Sequence, residues 1–108
     1  VFAQRVDGLT PAEMRELADA LRGSLSSGVV VLGRAAGSKA SLLVAVTADL
    51  RDRLPAGRLV KSLGRLIGGG GGGRPDLAEA GGKNPERLDE AIARAGAVVQ
   101  EELEDSKK

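Results

Sequence analysis

Apolar residues recur along this chain with two different periods, and each change of period marks an element. Met14, Leu17, Ala18, Leu21 and Leu25 fall on one stripe of an amphipathic helix. Its start is strongly specified. Thr10 stands at the N-cap, Pro11 at the first helical position, and Glu13 completes a capping box. Leu9 and Met14 are placed for a hydrophobic staple, and the helix is expected to end near Ser26-Ser27-Gly28. Gly28–Arg34 and Leu42–Thr47 are continuous apolar runs, the pattern of strands covered on both faces. The turn residues Ala36-Gly37-Ser38-Lys39 between them predict an antiparallel hairpin. Val1–Val6 reads as a short strand, so strand, helix and strand form a crossover unit.

After Pro55 the helical period returns. Leu59, Val60, Leu63, Leu66 and Ile67 line one side of a second helix, and Arg58, Lys61 and Arg65 fall on the other. Leu77–Gly81 reads as a short strand. Asn84-Pro85 opens a third helix striped by Leu88, Ile92, Ala95 and Val99, which runs into a charged tail expected to fray over residues 100–108. The predicted fold is α/β (mixed α+β): a single domain, residues 1–108, with a central mixed sheet and flanking helices. The order is β-α-β-β-α-Gly loop-β-α.

The loop in that order is the run Gly68, Gly69, Gly70, Gly71, Gly72 and Gly73, followed by Arg74-Pro75-Asp76. Each glycine costs a helix about 1 kcal/mol relative to alanine and adds no packing surface to a strand, so the run is expected to be loop. Three roles are open to it. Glycine runs often serve as linkers. Bare backbone can let a helix pass close over a sheet, or it can offer N–H donors to phosphate. The linker reading is the weakest, because the elements beyond the run are too short to be stable alone.

Composition then narrows the function. The chain has 108 residues, enough for one modest core, with no His, Cys, Trp or Tyr and a single aromatic, Phe2. That removes zinc sites, thiol nucleophiles, imidazole acid–base chemistry and Ser-His-Asp triads. RNA modules that stack bases on aromatic rings are disfavoured as well. No apolar run approaches the ~20 residues of a membrane span. The lack of cysteine fits a reducing cytoplasm. Net charge is only +1, but its distribution is uneven. Residues 51–74 carry six basic groups against Asp52, whereas residues 75–108 carry nine acidic against five basic. An anionic partner would be drawn to the basic segment that ends at the glycines.

Several motifs fail on context. The glycine run contains GxGxxG, but a helix precedes it and Arg-Pro follows, the reverse of a dinucleotide fingerprint. A Walker A loop would need Gly-Lys-Ser/Thr. Asp76 and Glu79 are not spaced like an EF-hand. No catalytic residue and no metal ligand set is predicted.

The stretch Leu66-Ile67, the six glycines, then Arg74-Pro75-Asp76-Leu77-Ala78-Glu79-Ala80-Gly81-Gly82-Lys83 closely resembles the signature of C-Ala, the C-terminal domain of alanyl-tRNA synthetases. The globular part of C-Ala belongs to the DHH-associated domain family. The resemblance continues through Leu17-Ala18-Asp19, Gly28–Leu32, Ser41–Thr47, Ala56–Lys61 and Leu88–Ala91. Leu77 stands where Met is common and Glu79 where Gln is common, so an amide hydrogen bond at position 79 is not available.

The resemblance implies a non-catalytic, cytoplasmic tRNA-binding domain that contacts the elbow of tRNA(Ala) and supports aminoacylation and editing by the full-length enzyme. ATP, magnesium and zinc belong to other domains of the parent, and this domain takes no cofactor. Its other expected partners are those domains and, through self-association, a second copy; no membrane is involved. The candidate RNA-binding residues are Arg58, Lys61, Arg65, Gly68–Gly73, Arg74 and Lys83. Two alternatives stand beside this reading. One is an oligomerisation module that uses the Val1–Val6 edge and the acidic third helix. The other is the substrate-recognition domain of a DHH-type phosphoesterase. The phosphoesterase loops usually carry a His after the glycines, where this chain has Arg74-Pro75.

Overall fold

The two apolar runs pair as predicted. In the computed structural model, which describes residues 1–106, β2 (Val29–Ala36) and β3 (Lys39–Val46) form an antiparallel hairpin. Its turn places Gly37 at φ +62°, a left-handed value suited to glycine. β1 (Phe2–Arg5) joins β2 in parallel through α1 (Pro11–Ser24), completing the crossover unit. On the other side of β3 lies β5 (Leu77–Gly82), and the full order is β1-β2-β3-β5-β4.

The fold class is therefore the expected one, a mixed sheet with helical cover, but one element differs. Gly69–Gly73 is not loop. It forms β4, the edge strand, antiparallel to β5. Intrinsic propensity argued against a strand here, and tertiary packing overrides it. A Cβ on Gly69 or Gly71 would run into the backbone of β5, so at these positions the strand can seat only without a side chain. The reversal that leads into it is made by Gly68, at φ +75°.

The sheet is covered on both faces. α1 lies on one, burying Met14 and Ala18 against Val30, Leu32, Leu43 and Ala45. Its Thr10 hydroxyl accepts from the Glu13 amide at 3.1 Å, while the Glu13 carboxylate accepts from the Thr10 amide at 2.9 Å. That reciprocal cap satisfies donors the first turn would otherwise leave open. The opposite face is covered by α2 (Ala56–Leu66) and by the C-terminal helices, which pack with Val31, Leu42, Val44 and Val46.

The predicted third helix is split. A 3-10 turn at Pro85–Arg87 leads into α3 (Leu88–Ala93), and α4 (Ala95–Ser106) follows after a pause at Arg94. The buried stripe Leu88, Ala91, Ala95 and Val99 runs through the pause, so the two pieces serve one packing face. The segment expected to fray from residue 100 is helical as far as Ser106. Leu103 packs against the core, and Glu102 meets Arg58. The remainder of that expected tail, residues 107–108, lies outside the described residues.

Candidate nucleic-acid interface

α2 approaches the glycine strand so closely that the helix has to be bare where the two meet. A Cβ on Gly57 would lie 3.3 Å from the Gly73 carbonyl oxygen, and one on Gly64 3.1 Å from the Ala80 Cβ. These two glycines seat the helix along β4. The Ala56 amide donates to the Pro75 carbonyl at 2.9 Å, which ties the start of the helix to the turn after β4. At the other end, the Asn84 amide donates to the Ile67 carbonyl at 2.8 Å.

Lys61 shares an i, i+4, i+7 stripe with Gly57 and Gly64, so it rises from the flank of α2 that borders β4. Arg58, Lys61 and Arg65 are all exposed, while Leu59, Val60 and Leu63 are buried beneath them. The three cations share one face, as the spacing predicts. They are not equally available. Arg58 Nη1 lies 3.5 Å from Glu102 on α4, whereas Lys61 and Arg65 make no ion pair among the described residues. Arg74 stands at the far end of β4, beside the start of α2, with its side chain 72% exposed and its Nε 3.5 Å from Asp76.

Lys83 does not join this group. It follows β5 and borders a hollow with Lys39, Ser41 and Gly68. The acidic α4 was also not foreseen as a neighbour of the basic face. The charge pattern of the sequence carried that signal, but only packing brings Glu102 to Arg58.

Within β4 the glycines divide into two sets. Gly69 and Gly71 are forced by the closeness of β5, but a Cβ on Gly70 or Gly72 would meet nothing within 4 Å. Close packing explains the first set and leaves the second without a structural reason. β4 is also a terminal strand, so part of its main-chain N–H and C=O groups has no strand partner. What results is a side-chain-free ribbon with Lys61, Arg65 and Arg74 along one flank. Such a surface can approach a sugar–phosphate chain closely and neutralise its charge.

Among the described residues, no group of three or more Asp, Glu, His or Cys is placed to hold a metal ion, and no helix is long and apolar enough to cross a membrane. Glu79, the departure noted above, is held by Arg15 through two hydrogen bonds of 2.9 and 3.2 Å. Hydrogen bonding to Glu79 also holds the Arg15 guanidinium above its ordinary value.

A family model described as the DHHA1 domain matches residues 1–101. The alanine–tRNA ligase of Desulforamulus reducens is 52% identical over 91 residues, covering 83% of this chain and 10% of the ligase. That of Desulfosudis oleivorans is 52% identical over 99 residues, covering 92% of this chain and 11% of the ligase. The chain thus spans about a tenth of the length of the curated relatives it matches. Among solved structures, the C-Ala domain from Aquifex aeolicus alanyl-tRNA synthetase superposes with a TM-score of 0.84 at 32% identity, covering 91% of this chain and 88% of that one.

Proposed function

We propose, from the premise that this chain belongs to the DHHA1 domain family and has the fold of a C-Ala domain of alanyl-tRNA synthetase, that it is the tRNA-binding accessory domain of such a ligase. It performs no catalysis itself. It holds the elbow of tRNA(Ala) so that aminoacylation and editing in other domains can act on the same molecule. The observation that carries this reading is the bare edge strand β4 flanked by the exposed cations Lys61, Arg65 and Arg74.

In this reading the glycine backbone lies against the sugar–phosphate chain and the cations neutralise phosphates. Recognition is of shape more than of sequence, because the one aromatic, Phe2, lies on β1 at the edge of the sheet opposite β4. Binding by the domain alone is expected to be about micromolar or weaker, and to weaken as salt rises.

The test is a titration of the chain with tRNA(Ala) transcript at two salt concentrations, repeated with Lys61, Arg65 and Arg74 all changed to Glu. The triple variant is expected to lose binding and its salt dependence. Unchanged affinity would refute the role given to these cations. A second reading, self-association, is favoured by one observation. β1 is the opposite edge of the sheet, and Phe2 on it is 41% exposed. Sedimentation across a range of concentrations separates the two, since a tight dimer indifferent to tRNA supports the second reading alone.

A further inference from the structure

The basic face of α2 is divided between two neighbours. At about 100° per residue, Lys61 lies about 40° round the helix from Gly57, on the flank that borders β4, and Arg58 lies about 100° round. On that far side stands α4, where Glu102 Oε2 is 3.5 Å from Arg58 Nη1. The two helices share one core, in which Leu59 and Leu63 of α2 lie with Val99 and Leu103 of α4.

The partners in this ion pair are held unequally. The Arg58 side chain is 60% exposed, that of Glu102 only 15%. Val99, three positions before Glu102, is buried, and Leu103, the next residue, packs against the core. α4 therefore fixes the carboxylate in place, while the guanidinium stands on the open face of α2. An exposed ion pair is weak in water, so an incoming anion can compete for the guanidinium. Here, though, an anion that draws Arg58 away leaves Glu102 behind, still facing the same space. A phosphate that reaches Arg58 must then lie beside a carboxylate, and like charges brought together suppress binding.

The other cations of the face are freer. Lys61 and Arg65 make no ion pair among the described residues. Asp76, which lies 3.5 Å from Arg74, is shared with Arg22 at 3.8 Å. The basic face thus has an open side along β4 and a guarded side along α4.

We infer that Glu102 sets the boundary of the polynucleotide interface: it withholds Arg58 and confines the sugar–phosphate chain to the β4 flank of α2. This rests on the reading of Lys61, Arg65 and Arg74 as an RNA surface, and adds the residue that limits it. Glu102 touches no RNA. It is a positioning residue that acts through Arg58, and the domain gives up one phosphate contact to keep its RNA on a single track.

The test is a double-mutant cycle, in which the 108-residue chain is titrated with tRNA(Ala) transcript over a series of salt concentrations. Glu102→Gln should bind about threefold tighter at low salt, and its log affinity should fall with log salt more steeply by about 0.9, as for one further phosphate neutralised. Arg58→Gln alone should change affinity by less than about twofold, and combined with Glu102→Gln it should remove the gain. Glu104→Gln makes the same change in net charge on a side chain that accepts from Gln100 instead, and its salt slope should match the wild type. In the wild type, the Arg58 Nε–H resonance should stay in place as transcript is added while that of Arg65 moves, a readout that needs no variant. The inference is overturned if Glu102→Gln binds as the wild type does, if Glu104→Gln gains as much, or if Arg58 Nε–H moves as far as Arg65. Any of these, with binding still lost in the Lys61, Arg65 and Arg74 triple variant, leaves the RNA reading standing. A wild type with no salt-dependent binding overturns both.

Discussion

The sheet contains two antiparallel hairpins built on opposite principles. In β2–β3 the side chains carry the structure. Val30, Leu32, Leu43 and Ala45 fill one face and Val31, Leu42 and Val44 the other, all fully or almost fully buried. In β4–β5 the main chain carries it. β4 has no side chains, and α2 rests on its backbone through glycines of its own. The first hairpin gains its stability from apolar burial. The second gives up that contribution and obtains a surface that another chain can approach to backbone distance. A protein can thus keep its stability and its contact surface in adjoining strands of one sheet.

The strongest break of this comparison is a cavity in the packed hairpin. Leu43→Ala is expected to destabilise the fold by about 3 kcal/mol, the usual cost of removing a buried leucine side chain, read from the denaturation midpoint. In the bare hairpin the alternation between forced and free glycines gives the sharpest contrast. Gly71→Ala should cost about 2 kcal/mol, because the new Cβ meets the β5 backbone. Gly70→Ala, facing open space, should change stability by less than about 0.5 kcal/mol. Equal losses at the two positions would mean that β4 does not sit against β5 as described. A smaller effect is expected at the cap of α1, where Thr10→Ala should cost about 1 kcal/mol.

The smallest effect concerns acid. Asp49 accepts from the Ser27 and Thr47 hydroxyls at 2.6 Å each, and these bonds hold its carboxyl below the usual range. A carboxyl lowered by folding adds stability above its unfolded value, about 3.9 for Asp. That stability is lost as pH falls through the lower folded value. Asp49→Asn should therefore lower the denaturation midpoint slightly near neutrality and leave it unchanged in acid, which flattens the acid limb of a plot of midpoint against pH.

Much of this was legible beforehand. The Thr10–Glu13 capping box, the β2–β3 hairpin and the stripes of α1 and α2 follow from periodicity and turn chemistry, and the structure places each where the pattern does. The pairing of Arg34 with Ser41 was readable too, since the two lie at equal distances from the turn at Gly37-Ser38. The apolar pattern alone does not show it, because a strand defined by its apolar run ends at its first cation. The nearness of Glu102 to Arg58 and of Lys83 to Lys39 could not be read, because both depend on how separate elements pack.

The residues alone determined which segments have a hydrophobic face, where the first helix begins and where positive charge accumulates, because these depend on neighbours a few positions away. Whether six successive glycines become loop or strand was decided only by the folded whole. Local propensity gives glycine no preference for a strand, and it needed β5 on one side and α2 above to hold that backbone extended.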